Sequence, residues 1–447
     1  MSGSNLGLNL LNKRRFLPLF VTQFLNAFND NLYKNAMVLF VVYNVLADET
    51  QETWFSAIAT GIFTLPFFLL SALSGQLADA TDKARIIRIV KACEIGIMLV
   101  GALGLTLGLY GYASHRITIP LMLLALFAMG VHSTFFGPIK YAILPQHLKK
   151  DEVLGGTGLV EAGTYLAILS GTILSGIISY EAVAVAVIIV AVIGYLFGRQ
   201  VPPAPALEEG HKIDWNVLRS SVRIVKATMH IPRVFMAIVA ISFFWTIGAV
   251  LFILFPPLVK NVLTSEREVA SLVLAVFSIG VSVGSIVINR MLKGQVSARY
   301  SAPSVIVMGL FVVAFHQVAQ YWQPAVGDPY RVGDFLHHPS TSWLVLCLLG
   351  IAISGGMFVV PLYAFLTTTV KKSEAARTIA ANNIVNAFAM VIGSLLSTAL
   401  SLMGIDTVDQ LLLAAAMCVI SAYLGWRLHK CCDDGKVFEA KSLPDDV

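Results

Sequence analysis

The chain has 447 residues, of which 57% are hydrophobic and only 13% charged, with a formal net charge of +5. A soluble domain carries roughly 25% charged residues, so this composition excludes a water-facing globular fold and makes the bilayer the solvent for most of the surface. The positive excess is scattered through short segments between apolar runs, which is an orientation signal and not the footprint of a nucleic-acid binder.

The first apolar run, at about 16–46, follows Lys13, Arg14 and Arg15. It is about 30 residues long and lacks a small-x-small cleavage site, so it reads as a first span and not as a cleaved signal peptide. It carries Gln23, Asn26, Asn29, Asp30, Asn31, Lys34 and Asn35. An acid and a base at mid-span cost several kcal/mol unless they are paired or face water. Asp30 and Lys34 stand four apart on one helix face and can pair. Gln23, Asn26 and Asp30 share a stripe. That stripe either lines a substrate cavity, with Asp30 offered to a cation or a proton, or only holds helices together.

Further runs are read at about 53–77 and 84–110, then 117–137, 152–179 and 182–199. Glu94 stands near Lys91 at the start of the third run and reads as structural. Lys140 and Tyr141 follow Pro138 at the end of the fourth, where they either contact a phosphate or anchor the helix at the interface. Glu161 is a second deep acid, in the fifth. His132 and His316 are single histidines in apolar helices, where packing is the commoner role. A polar segment at about 200–230 opens with Pro202, Pro203 and Pro205, then has Glu208 and Glu209. Trp215, Leu218, Val222 and Val225 follow, with Arg219, Arg223 and Lys226 between them. That spacing suits an interfacial amphipathic helix with a basic face, or a solvated connector.

Six more runs fall at about 232–260, 268–292, 303–322, 342–368, 375–403 and 407–429. Trp245, Asn382, Asn383 and Asn386 are their inward polar or amphipathic candidates. Backbone groups cannot stay unpaired in hydrocarbon, so each run is predicted helical. The expected fold is all-α and polytopic, with about twelve transmembrane helices. They form two pseudo-symmetric six-helix bundles at 1–199 and 231–430, joined by a linker at 200–230 and followed by a tail at 431–447. With the N-terminus in the cytoplasm, only Arg116, Lys260, Arg267 and Arg331 of the 31 Lys and Arg fall outside, and Lys34 falls within a span. The positive-inside asymmetry therefore places both termini in the cytoplasm.

The halves resemble each other. "FFGPIKYAILPQHLKK" has a counterpart in "MFVVPLYAFLTTTVKK", with Pro138 and Pro361 each ending a span. Repeated halves are what a transporter with two rocking bundles needs. Cys93, Cys347 and Cys418 lie in apolar helices, where buried free thiols are expected. Cys431 and Cys432 follow the last span and are either lipidated or inert. No Walker loop, G-x-S-x-G or metal-spaced Cys/His set occurs. An H-x-x-x-x-D match from His429 to Asp434 has too little chain after it to support an acyltransferase. The expectation is a non-enzyme with no catalytic residue, no metal and no cofactor.

The second and third spans are joined by a stretch with Gly75, Leu77, Ala78, Asp79, Asp82, Lys83 and Arg85. It resembles the G-x-L-A-D-R-x-G-R-R signature of the major facilitator superfamily, departing from it at Ala80 and Asp82. The resemblance implies gating: Gly75 allows close helix approach, Asp79 meets a helix N-terminus, and Lys83 and Arg85 pair with acids. More specifically, "VTQFLNAFNDNLYKNA", "FGPIKYAILPQHL", "GTGLVEAGTYLAILSGTILSGII", "SFFWTIGAVLFILFPP", "GGMFVVPLYAFL" and "ARTIAANNIVNAF" occur in order along the chain. Together they resemble the bacterial lysophospholipid transporter family of that superfamily, and the transporter domain of its fusions to an acyltransferase and an acyl-ligase.

This second resemblance implies a flippase for lysophospholipids such as lysophosphatidylethanolamine in the bacterial inner membrane, with reacylation by a separate acyltransferase. It nominates Asp30 and its neighbours, Lys140 and Glu161 as cavity residues. Lys34 and the long segment at about 323–340 depart from the family pattern. A proton-coupled transporter of a small solute or drug shares the fold and the loop motif. A membrane scaffold that recruits an acyltransferase is the alternative from another class.

Overall fold

The structure is a computed structural model that describes residues 9–149, 152–206, 213–292, 297–368 and 375–433. The long helices are α1 (Leu17–Asn44), α2 (Glu49–Ala80), α3 (Lys83–Leu109), α4 (His115–Ala142), α5 (Val153–Ile177) and α6 (Tyr180–Gly198). After a linker helix, Val217–Met229, come α7 (Pro232–Pro257), α8 (Arg267–Met291), α9 (Ser301–Gln320), α10 (Thr341–Thr368), α11 (Ala375–Leu402) and α12 (Thr407–Asp433). Among the described residues ten helices are long and apolar enough to cross a membrane. α1 falls short of that because its Asn, Gln, Asp and Lys side chains interrupt the apolar run. Among the described residues of α5, Leu166–Ile177 is an apolar segment.

Contacts cluster into two compact units, Met1–Phe40 with Leu69–Ser220 and Val41–Phe68 with Ser221–Val447. In the first, α3 packs on both α4 and α6. In the second, α9 packs on both α10 and α12, so the same pairing recurs six helices further on. α7 is the most enclosed helix of its unit, packed on α11, α12 and α10. It runs into a π-helical turn, Leu258–Val262, directly after Pro256 and Pro257.

Two expectations are corrected here. Pro138 and Pro361 lie inside α4 and α10 and do not end them. A proline has no N–H for the carbonyl four residues back, so Pro138 frees the Thr134 carbonyl. That oxygen instead accepts the Ser74 hydroxyl of α2 at 2.9 Å. The proline thus converts a helix bond into a bond between helices. Cys93 is exposed on α3, whereas Cys347 and Cys418 are buried as expected.

At the ends of the helices, long-range ion pairs fix the chain. Glu152, which precedes α5 and lies outside its spanning segment, pairs with Lys13 at 2.6 Å and Arg15 at 2.7 Å. The bond from Lys13, a backbone N–H from Lys149 and the nearby Arg15 hold its carboxyl down, at about 2. In the second unit Lys260, in the π turn, donates to the Val42 and Leu46 carbonyls at 2.6 and 2.9 Å. It also pairs with the buried Glu52, which Asn261 reaches as well. Lys260, expected on the outer side, instead caps the end of α1 through the Val42 carbonyl, which a helix end leaves unpaired, and the Leu46 carbonyl just beyond it.

Candidate functional site

The polar stripe of α1 faces protein, not lipid. Gln23, Asn26, Asn29 and Asp30 are all buried. Close approach of α5 makes this possible: a Cβ at Gly171 would sit 2.5 Å from the Phe28 carbonyl oxygen and 3.0 Å from the Leu32 nitrogen. Any larger residue there would push α5 off α1. On the other flank Gly101 of α3 accommodates the Tyr33 ring.

Asp30 receives the Ser133 hydroxyl of α4 and, at 3.2 Å, the Asn26 amide, both on Oδ2. Its Oδ1 is buried and accepts no hydrogen bond. The Asn26 carbonyl oxygen takes Lys91 of α3 at 3.5 Å. Lys91 pairs with Glu94 one turn along, and neither side chain is exposed. Glu94 also accepts the Asn29 amide at 2.9 Å and lies 3.4 Å from the ring of His132. Asn29 reaches on to the Val187 carbonyl of α6 at 3.1 Å. Two acids, a lysine and a histidine from α1, α3 and α4 therefore form one connected network. A buried charge is tolerated only when paired or bonded in this way. Glu94 is in direct contact with Lys91, whereas Asp30 is hydrogen-bonded by two neutral donors, with Lys91 and Lys34 near enough to attract its charge and one oxygen accepting no hydrogen bond.

A second cluster lies two turns back along α1. Thr164 of α5 donates to the Gln23 carbonyl oxygen at 2.8 Å and stands 3.5 Å from the Lys140 ammonium. The Gln23 amide nitrogen is buried and unpartnered. Lys34 is half-buried one turn from Asp30. Glu161 and Tyr141 lie on α5 and α4, but their side chains, like that of Asp79, are outside the described residues.

In the second unit a cluster of neutral polar side chains joins α7, α10 and α11. Trp245 of α7 donates its indole N–H to the Tyr363 hydroxyl of α10 at 2.7 Å. Asn386 of α11 reaches the same hydroxyl at 3.5 Å and accepts from Ser242 at 2.7 Å. Asn382, one turn back, is fully buried with neither amide atom bonded. Asn383 is exposed. His316, expected as a packing residue, lies 3.1 Å from Asp409.

Asn26 and Asp30 share one network, whereas Gln23 falls in the second cluster, and Lys91 was not expected as a core residue. Lys91 stands eight residues into α3, about 12 Å along its axis, too deep for an end-of-helix cation. An i,i+3 Lys/Glu pair bounded on both sides by apolar residues was the available signal.

The sequence pattern of the Major Facilitator Superfamily matches residues 19–394. The chain belongs to that superfamily. Two curated relatives are both named lysophospholipid transporter LplT. That of Photorhabdus laumondii is 25% identical over 358 residues, 77% of this chain and 78% of its own length. That of Escherichia fergusonii is 25% identical over 382 residues, 83% of this chain and 85% of its own. Among solved structures, a D-xylose–proton symporter superposes with a TM-score of 0.67 at 11% identity, over 93% of this chain and 98% of its own. A bacterial homologue of the iron transporter ferroportin, inward-facing, gives 0.66 at 11% identity over 96% and 100%. Both share the fold, so this is a multi-pass, all-α membrane protein of the major facilitator type.

In this major facilitator chain the loop motif departs from expectation at two positions. A Cβ at Gly75 would meet open space, so no close approach occurs there. Asp82 caps α3 through Ala84 N at 3.0 Å and also holds Ala204 N at 2.9 Å. Lys83 is buried beside it and donates its backbone N–H to the Ala204 carbonyl at 2.9 Å. The loop is thereby stitched to the segment after α6, while Arg85 is exposed.

Proposed function

We propose that this protein moves lysophospholipids, such as lysophosphatidylethanolamine, from the outer to the inner leaflet of a bacterial inner membrane. A separate acyltransferase would then reacylate them on the cytoplasmic side, where both termini lie. The observation that carries this reading is the open Oδ1 of Asp30, an acid only 7% exposed that no cation of the network directly bonds. A substrate ammonium would complete its shell with a charge-assisted bond. Lys140 and the spare Gln23 amide, two turns away on the same face, suit the anionic or carbonyl oxygens of the same molecule. Apolar side chains around them suit the acyl tail. The two LplT relatives support the choice of a lysolipid over another amphiphile.

The test is movement of acyl-labelled lysophosphatidylethanolamine in proteoliposomes, read by back-extraction. Transfer well above protein-free vesicles is expected; transfer at the protein-free rate overturns the reading. A second reading, proton coupling, is favoured by one observation: Asp30, Glu94 and His132 share a single hydrogen-bonded network. Lysolipid transfer that accelerates under an imposed proton gradient would support it, and indifference to the gradient would remove it.

A further inference from the structure

Near its end, the spanning helix α12 has two unlike sides. Its apolar span runs from Thr407 to Lys430, and it packs on α9 of the same unit. Gly425 marks the packed side: a Cβ there would sit 3.2 Å from the Ala302 nitrogen and 3.4 Å from the Ser301 Cβ. Ser421 and Leu428 are fully buried. The opposite side carries Val419, Ile420, Tyr423 and Trp426, at 71%, 49%, 55% and 46% exposure. On a spanning helix such apolar exposure is to lipid. Arg427 and Lys430 are exposed as well. They share the face of Tyr423 and Trp426, because helix positions three and four apart are neighbours. The Lys430 ammonium lies 4.1 Å from the Trp426 ring centroid, and the Arg427 guanidinium carbon 5.8 Å from that of Tyr423. The two ring centroids are 6.3 Å apart. Among the described residues both cations meet rings and neither meets an acid.

These features fit one depth in a bilayer. Tyr and Trp settle at the boundary between acyl chains and headgroups, and the cations stand at the end of the span, where phosphates lie. A lysine or arginine resting on a ring still has N–H donors to offer an oxygen acceptor. A choline or ethanolamine headgroup carries its own ammonium, which two adjacent cations repel, whereas an anionic headgroup brings only attraction. We propose that this end of α12 is a binding site for an anionic phospholipid, with its phosphate held by Arg427 and Lys430 and its acyl chains laid along Tyr423, Ile420 and Val419. Each Lys or Arg near an anionic surface is worth roughly fivefold in partitioning, so the pair gives a preference on the order of 25-fold over zwitterionic lipid. The site faces the bilayer within the second unit, so the inference does not depend on what the protein transports.

The experiment uses the full chain in vesicles of phosphatidylcholine and phosphatidylglycerol, with bromine near the carbonyl end of the acyl chains of one lipid at a time. Quenching of Trp426 is read as the difference between the wild type and Trp426→Phe. Brominated phosphatidylglycerol should quench Trp426 at a mole fraction on the order of 25-fold lower than brominated phosphatidylcholine does. Trp343, 64% exposed at the start of α10, is the internal control, read against Trp343→Phe, and should be quenched alike by both lipids. The double variant R427Q/K430Q should equalise the two lipids at Trp426, and the charge-conserving R427K/K430R should keep the preference, each with the wild-type elution volume in detergent. Equal quenching of Trp426 by both lipids in the wild type overturns the proposal, whether or not the variants fold. So does a preference that survives in R427Q/K430Q, and so does the absence of quenching by either lipid, as when a second protein covers the face.

Discussion

The polar network of the first unit holds Asp30, Lys91, Glu94 and His132, whereas one cluster of the second, Ser242, Trp245, Tyr363, Asn382 and Asn386, is made of neutral side chains. Both are made the same way, by short polar side chains donated across packed helices. They differ in what remains unsatisfied. In the first unit it is a carboxylate oxygen, which asks for a cation or a proton. In the second it is a neutral amide, which asks for a hydrogen-bonding group of either polarity. A buried network of charges must be nearly complete to be tolerated, so an open carboxylate oxygen in it is informative. A buried amide costs far less to leave open. Under the proposed function, the first unit supplies the position for the substrate's charged group.

The comparison breaks most sharply at Lys91. Lys91→Met leaves Glu94 buried without its counter-charge, and such a loss costs about 3–5 kcal/mol. Thermal unfolding of the purified protein should fall steeply, and adding Glu94→Leu should restore much of it. A single variant as stable as the wild type would mean that the pair is solvated. Asn382→Leu should behave oppositely. Removing an unsatisfied amide relieves roughly 1–3 kcal/mol, so the variant should unfold at the same or a higher temperature while lysolipid transfer falls. A clear loss of stability there would show that Asn382 is a structural glue and not an open binding group.

The smallest effect belongs to the tether at Glu152. Its carboxyl is held below the ordinary 4.5, at about 2. The tether's contribution is therefore complete above the ordinary value and is lost as pH falls from about 4.5 towards 2. Glu152→Gln should flatten that part of the stability profile and leave neutral-pH transport near the wild-type rate.

Much of this was legible in the residues. The run from Gln23 to Asn35 is too polar for lipid, so its burial followed from the cost of exposing it to hydrocarbon. Ten of the long helices among the described residues followed from apolar run lengths, and "GPIKYAIL" and "VPLYAFL" hinted at the helix pairing that recurs. What the sequence hid was depth and partnership. Lys91 looked like the basic edge of a helix, because charge near a helix start is usually solvated. Lys260 looked like an outer-side cation, because nothing local marks the carbonyls it reaches. Tyr363 and Ser133 are common residue types whose roles depend on a partner more than a hundred residues away. Gly75 sits in a recognisable motif, yet the close approaches are made at Gly101 and Gly171, which no motif flags.

The most direct measurement is lysophosphatidylethanolamine transfer by Asp30→Asn in proteoliposomes beside the wild type. Asparagine keeps the side chain's shape and can still accept from Ser133, but it offers no charge. Losing a charge-assisted contact of about 1.5–3 kcal/mol predicts a fall of at least tenfold in transfer, with the unfolding temperature little changed. Wild-type transfer by the correctly folded variant would contradict the account that Asp30 receives the substrate's charged group.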